Sequence, residues 1–137
     1  MKAKLVVSMA GLMIAAALPM LAHHSFAAEY DASKSVTLKG NVTKVEWLNP
    51  HIWIYLDAKD EKGAVTHWQC EGGPPNSLTR QGWTKDVLKP GDEVTIEGYR
   101  SKDGTNTCNS RTAQLPGGRK VFSGTADDGA PGKGKKE

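Results

Sequence analysis

The sequence lacks the residue patterns that mark the common hydrolases and nucleotide-binding enzymes. It contains no Gly-x-Ser-x-Gly nucleophile elbow, no phosphate-binding loop, no His-Glu-x-x-His zinc motif and no paired-cysteine motif. Ser25 beside His24 is not a catalytic pair, because neighbouring residues in an extended segment point in opposite directions. We therefore expect a protein that is not an enzyme.

The sequence also has little excess of charge of either sign. Its 18 basic and 15 acidic residues become nearly balanced when Lys2 and Lys4 are removed with residues 1–22. Nucleic-acid binding demands a concentrated basic face, so we expect no nucleic-acid partner.

The first 22 residues predict export. Lys2 and Lys4 precede an uncharged apolar run at 5–18, and a proline and the small residue Ala22 follow it. This order is typical of a cleavable secretory signal, and the run is too short to span a bilayer comfortably. We expect cleavage after Ala22, with cuts after residue 17 or 27 as alternatives. The mature protein should be periplasmic or secreted, without a membrane span.

The middle of the chain predicts β-strands. Residues 36–47 alternate and then change phase between Val42 and Val45, as a bulge in a long bent strand would produce. Further strands are predicted on both sides of the turn signal at 59–63 and after the turn at 89–92. One short helix is predicted within 75–88, with Asn76 as its N-cap and Gly82 at its end.

This order of elements predicts an all-β fold, a small five-stranded OB-like Greek-key barrel with one short helix between strands three and four. A simple β-sandwich is the alternative, and the position of the helix favours the barrel. The domain should cover 23–124. Residues 125–137 are rich in glycine and lysine and lack large apolar residues, which predicts a disordered polar tail.

A resemblance extends over almost the whole mature chain, from His23 to about Gly124. It is carried by the segments "HHSFAAEYD", "VTLKGNVTKVEWLNPHIWIYLD", "EGGPPNSLTRQGW", "LKPGDEVTIEGYRSKDGTN" and "LPGGRKVF". These segments resemble a family of small exported bacterial proteins known as a domain of unknown function, of the 6152 type, with HHSF and NPH as motifs. The resemblance implies export and a small β-barrel, and it implies no established activity.

Two cysteines, Cys70 and Cys108, would meet an oxidising compartment after export. A disulfide between them and two buried free thiols are equally open interpretations. The expected geometry is an objection to the disulfide, because parallel neighbouring strands would hold the two residues well apart.

A metal site is the more specific of the two functional hypotheses that the sequence supports. Cleavage after Ala22 would leave His23 with a free α-amine of pKa about 8 and an imidazole of pKa about 6.5, which can chelate one ion together. His24 or His51 could add an imidazole, and His51 follows a rigid Asn49-Pro50 corner. Such nitrogen-rich sites suit Cu(II) best and Zn(II) next. The alternative is that these are ordinary exposed histidines.

An aromatic strand face is the second candidate site. If the turn at 59–63 pairs Leu56 with Thr66, Trp68 belongs to the core face, and Trp68→Ala should unfold the domain. A register change of one residue would instead bury the aromatics of the outer face. The outer face, which would suit a sugar, a peptide or another flat ligand, carries Trp53, Tyr55, His67, Gln69 and Glu71, besides His51.

Together these patterns predict a monomeric, non-catalytic periplasmic binding protein, with a Cu(II) site at the N-terminal histidines as its sharper version. The alternative is a metal-free domain that binds a ligand or a protein through the aromatic face. Its partner would be a small molecule, a metal ion or another periplasmic protein.

Overall fold

The computed structural model describes residues 25–131, so the predicted signal peptide, His23, His24 and residues 132–137 lie outside it. The protein is all-β, with six strands and two short helices in the described part of the chain. In chain order the elements are α1 (Phe26–Glu29), β1 (Tyr30–Glu46), β2 (Trp53–Lys59), β3 (Val65–Glu71), α2 (Pro75–Arg80), β4 (Glu93–Ser101), β5 (Thr107–Gln114) and β6 (Lys120–Phe122).

The strands form one sheet in the order β3-β2-β1-β4-β5-β6, and neighbours in this order run antiparallel. β3 also pairs with β5, in parallel. The predicted count of five strands is wrong, because residues 120–122 form a short sixth strand. The predicted single helix is α2, between β3 and β4, and α1 was not predicted.

β1 is the long bent strand that the sequence predicts. Its pairing with β2 shifts register between Val42 and Lys44, where the alternation changes phase. Gly40 pairs with both Ala58 of β2 and Val94 of β4. A Cβ atom at Gly40 would lie 1.9 Å from the carbonyl oxygen of residue 57, so this crossing admits glycine alone.

The β2–β3 hairpin differs from the predicted register by two residues. Leu56 pairs with Trp68, and the predicted partner Thr66 pairs with residue 58. The carboxylate of Asp60 accepts hydrogen bonds from the backbone N–H groups of residues 62 and 64, at 2.8 and 2.9 Å, and so starts the loop later. Because side chains alternate with a period of two, this slip leaves every residue on its predicted face.

The main hydrophobic core contains the buried side chains of β2 and β4. Ile54, Leu56 and Ile96 are at most 1% exposed. The prediction that Trp68 is a core residue needs correction, because Trp68 is only partly buried and packs at the edge of the core. The buried tryptophan is Trp83, which is 3% exposed.

The start of α2 differs from the prediction, and its end agrees. Pro74 is the N-cap and Pro75 begins the helix, so Asn76 is not the cap. Proline suits the first helical positions because its fixed φ matches the helix and its missing N–H would have no partner there. Gly82 follows the helix with a φ of +92°, the left-handed conformation of a helix end.

A disulfide joins Cys70 of β3 to Cys108 of β5. The two residues are direct partners in the parallel pairing, and their Cα atoms are 4.5 Å apart. The expected separation of the cysteines was therefore wrong. Neighbouring parallel strands bring directly opposed residues close enough for a bridge.

The C-terminal segment, residues 125–131, packs against α1 and the start of β1, although the sequence predicts a disordered tail from Thr125. The side chain of Ala130 is 5% exposed and lies against Phe26 and Tyr30. The carbonyl oxygen of Asp128 accepts a hydrogen bond from the backbone N–H of Phe26 at 3.1 Å. This segment and α1 therefore cover the same part of the sheet.

Candidate functional site

A cavity of about 350 Å³ lies where α1, the end of β3 and the C-terminal segment meet. Its wall combines aromatic, polar and charged groups from distant parts of the chain. The wall residues include Ser25, Phe26, Tyr30, His51, Glu71, Asn109 and residues 125–128.

A hydrogen-bonded triad of His51, Glu71 and Tyr30 forms one side of this cavity. The Nδ1 atom of His51 contacts Oε1 of Glu71. The Tyr30 hydroxyl donates to Oε2 of the same carboxylate at 2.5 Å. Both oxygens of Glu71 are thus engaged, which fixes the orientation of the imidazole ring.

The sequence predicts His51 and Glu71 as cross-strand partners, and their side chains do meet. The backbone partner of Glu71 is nevertheless Trp53, because of the slip of two residues. His51 lies two residues before β2, and its ring reaches across to the end of β3.

Burial and the Glu71 carboxylate determine the protonation states in the triad. Burial is the main cause that raises the pKa of Tyr30 far above its ordinary range, and the Glu71 hydrogen bond adds to it. The Tyr30 hydroxyl therefore keeps its proton and donates a hydrogen bond to Glu71. The hydrogen bond to Glu71 raises the pKa of His51, against the opposing effect of burial.

A buried ion pair fixes Asp128, another residue of the cavity wall. The guanidinium of Arg111 on β5 donates to Oδ2 of Asp128 at 2.9 Å and to the carbonyl oxygen of Thr125 at 3.2 Å. The side chains of Arg111 and Asp128 are 10% and 8% exposed. Arg111 also lies over the ring of Phe122, 5.2 Å from its centroid. These contacts attach the C-terminal segment to the sheet.

The other residues of the predicted aromatic face do not line this cavity. The Tyr55 hydroxyl donates to Glu46 at 2.9 Å. His67 contacts Asp57 at 2.5 Å, and the Gln69 amide donates to Thr107 at 3.1 Å. Trp53 is half-buried on the same face of β2. The structure thus brings His51 and Glu71 together and leaves Trp53, Tyr55, His67 and Gln69 outside the cavity.

Sequence reasoning missed the rest of the cavity wall. Tyr30 stands in the segment "HHSFAAEYD", whose motif was the one available signal for it. Asn109 and Asp128 carried no signal, because neither belongs to a motif and the C-terminal segment has no apolar periodicity.

Within residues 25–131, no group of three His, Cys, Asp or Glu side chains is placed to hold a metal ion. None of the helices in that range has the length and hydropathy needed to cross a bilayer.

The His51–Glu71 contact should make the stability of the metal-free protein depend on pH. Because the folded-state pKa of His51 is raised, the contact stabilises the fold fully below the unfolded pKa of about 6.5. This contribution is lost as the pH rises through the higher folded-state pKa. We expect urea unfolding at a series of pH values to show a falling free energy of unfolding above about pH 6.5.

His51→Gln should flatten this part of the pH profile. His67→Gln is the matched control, because its side chain is 85% exposed and lies outside the cavity. An unchanged slope in His51→Gln would show that another group causes the dependence.

These features define a class: a small, disulfide-bonded all-β domain with a cavity built around a histidine, a glutamate and a tyrosine. The chain belongs to the family of unknown function DUF6152, whose profile matches residues 10–110. The match covers α1, all of β1 to β4 and the start of β5, and it includes all three residues of the triad. A search of curated proteins finds no match to this chain.

Proposed function

We propose that this protein is an exported, non-catalytic binding protein of the periplasm that holds one Cu(II) ion at His51 and the N-terminal histidines. One observation carries the proposal: Ser25, which is bonded to His24, lines the same cavity as His51. Export is supported by the signal-like residues 1–22.

Chain continuity supports the approach of the N-terminal histidines to the cavity. Consecutive Cα atoms are about 3.8 Å apart, so His24 is one such step from Ser25 and His23 is two. Cleavage after Ala22 would make His23 the first residue. Its amine and imidazole can then chelate one ion, and His51 can complete a nitrogen-rich site of the kind that Cu(II) prefers over Zn(II).

The His51–Glu71 contact is the arrangement expected behind a metal-binding imidazole. Histidine ligands usually donate their second ring N–H to a carboxylate, which fixes the tautomer and raises the basicity of the ligating nitrogen. Here the Nδ1–H of His51 faces Glu71, which places the lone pair of the neutral ring on Nε2. Tyr30 holds the same carboxylate in position. Glu71 would thus act as a positioning residue.

The finer architecture that we propose is an OB-like barrel with β6 as an addition. The pairings β1–β2, β2–β3, β3–β5, β5–β4 and β4–β1 form a closed ring, and α2 lies between β3 and β4. OB folds bind ligands through the strand 2–3 face and the neighbouring loops. The proposed metal site lies at the end of β3, next to that face.

The test is calorimetric titration of the mature protein, starting at His23, with Cu(II). We expect one ion to bind, and acetylation of the His23 α-amine should weaken binding severely because it removes the amine from the chelate. Glu71→Gln should lower the affinity by roughly 10–100-fold, as loss of such a carboxylate does in other metal sites. His67→Ala is the control and should bind normally.

Two results would contradict this function. Equal Cu(II) binding by the acetylated and the free N-terminus would eliminate the amine chelate. A mature protein whose mass corresponds to a start at Ala28 would lack both His23 and His24.

The alternative function is metal-free binding on the outer face of β2. Trp53 and Tyr55 alternate there with fully buried neighbours and keep part of their surface exposed. A protein that binds no Cu(II), but whose ligand binding is lost in Trp53→Ala, would favour this alternative.

A further inference from the structure

We infer that the cavity beside α1 is a binding site for a small organic cation, a primary amine that carries a hydrogen-bond acceptor near its ammonium group. This inference goes beyond the proposed Cu(II) site, because it uses residues that the structure describes and needs no metal ion. It follows from the burial of the cavity floor, from the charges of the wall and from one buried amide.

The cavity has a buried floor and a rim that is open to solvent. Phe26 and Tyr30 are both 4% exposed, and Asn109 is 5% exposed. Ser25 and residues 126–127 line the same space and are exposed. The volume of about 350 Å³ is at the small end of the range for ligand pockets, about 300–1,000 Å³. The cavity therefore suits a small molecule that enters past the rim.

Two aromatic rings give the floor an apolar part. The ring centroids of Phe26 and Tyr30 are 5.8 Å apart, and the ring of Tyr99 packs edge-on against Phe26 at 5.3 Å. Ala130 of the C-terminal segment belongs to the same cluster. These contacts hold both rings in place before any ligand arrives. A ligand with a hydrocarbon group therefore meets a preformed surface and loses less free energy to ordering of the protein.

The charges of the wall favour a cation. Three carboxylates line the cavity, those of Glu71, Asp127 and Asp128. Among the described residues of the wall, none is a lysine or an arginine, and His51 is the one imidazole. The carboxylates remain in the majority even when His51 is protonated and the guanidinium of Arg111, which contacts Asp128, is counted with them. The side chains of Glu71 and Asp128 are 13% and 8% exposed, so water and salt screen their charges less than at the surface.

The buried carboxylates can accept further hydrogen bonds. Glu71 accepts from the Tyr30 hydroxyl at 2.5 Å and contacts His51. Asp128 accepts from Arg111 at 2.9 Å and from one backbone N–H of its own segment at 2.9 Å. A carboxylate has about four acceptor positions, so each of the two can accept another donor. An ammonium group brings three N–H donors and no acceptor, which matches these positions.

A buried amide indicates the second polar group of the ligand. Asn109 lines the cavity, and its Oδ1 atom accepts a hydrogen bond from Nη1 of Arg111 at 3.5 Å. The amide N–H groups of Asn109 have no hydrogen-bond partner among residues 25–131. Because a buried donor without a partner costs free energy, a ligand that offers an acceptor gains affinity here. Glu71 is the direct partner of Asn109 in the β3–β5 pairing, so one small ligand can reach both side chains.

The experiment compares probes that share a phenyl ring and differ in their polar group. The mature protein, kept free of metal by a chelator, is titrated with 2-phenylethylamine, 2-phenylethanol and phenylacetate, and binding is followed by calorimetry and by NMR. We expect the amine to bind about 10–100-fold more tightly than the alcohol, the usual gain for a hydrogen bond to a charged group, and the anion not to bind. The probe 2-amino-1-phenylethanol, which adds a hydroxyl acceptor, should bind about 2–10-fold more tightly than the amine.

Two variants assign these gains to named side chains. Glu71→Gln should weaken binding of the amine about 10–100-fold, because it removes a buried charge. Asn109→Ala should abolish the preference for the amino alcohol over the amine. Glu93→Gln is the control and should bind normally, because Glu93 is 67% exposed and pairs with Lys39 outside the cavity. Thermal unfolding identifies any variant that does not fold, and the probe series on the unaltered protein then decides alone.

Three results would overturn the inference. Equal binding of the amine and the alcohol would mean that the cavity takes any phenyl group, and tight binding of phenylacetate would mean that the wall attracts anions. Failure of every probe to bind would eliminate the site. Since these titrations use metal-free protein, each of these results leaves the proposed Cu(II) binding to its own test.

Discussion

Trp83→Ala should destabilise the fold by about 3–5 kcal/mol, the usual cost of removing a buried aromatic side chain. Trp83 is 3% exposed and belongs to the main core cluster. Its indole N–H donates to the carbonyl oxygen of Phe122 at 3.0 Å, so the variant also loses a hydrogen bond to β6. Urea unfolding should show a large fall of the midpoint with an unchanged slope.

Trp68→Ala is the matched control, and it should cost clearly less. Trp68 is only partly buried, and its indole N–H donates to Thr66 at 3.0 Å on its own strand. The guanidinium of Arg100 lies 5.3 Å from its ring centroid, a contact typically worth about 0.5–1 kcal/mol at exposed sites. A larger loss in Trp68→Ala than in Trp83→Ala would mean that Trp68 is a core residue, as the sequence predicts.

The difference in burial between Trp68 and Trp83 shows what the alternation of residues along a strand can and cannot predict. Alternation predicts the faces of a strand correctly, because it depends on neighbouring residues alone. It placed Trp68 inward, but depth of burial depends on what covers the strand. Residues 81–88, which include Trp83, have no clear alternation and pack by tertiary contact.

Local sequence patterns also fail to predict the register of the β2–β3 hairpin and the pairing of the two cysteines. The sequence predicts the hairpin, but the length of its loop depends on the side-chain contacts of Asp60, which composition does not reveal. The disulfide remained open because the parallel pairing of β3 with β5 joins strands that are distant in sequence. The bulge in β1, by contrast, is a local feature and was predicted at its observed position.

The candidate site was predictable in part for a similar reason. The sequence predicts His51 at the start of one strand and Glu71 at the end of the next, and the alternation of these strands indicates that the two residues can meet. Tyr30 and Asp128 reach the same cavity from the two ends of the domain. Their approach depends on α1 and on the Arg111–Asp128 ion pair, which closes a separation of 17 residues. Such contacts leave no periodic signal in the sequence.

Reduction of the Cys70–Cys108 disulfide should destabilise the fold by about 4 kcal/mol. The bridge joins residues 38 apart in sequence, and it restricts the unfolded chain by closing a loop of that length. A loss of this size is a large part of the stability of a small domain. Thermal unfolding with and without a dithiol reductant should show a melting temperature lowered by at least about 10 °C.

The double variant Cys70→Ala/Cys108→Ala provides the control. It should show the same loss without reductant, and the reductant should lower its melting temperature no further. Two thiols that titrate in the unfolded, unreduced protein would contradict the bridge.

The pairing of β3 with β5 comprises three residue pairs, and it includes Glu71 opposite Asn109. Loosening this pairing should disturb both residues, so the double variant, which has no thiols, should also bind Cu(II) less tightly than the disulfide-bonded protein.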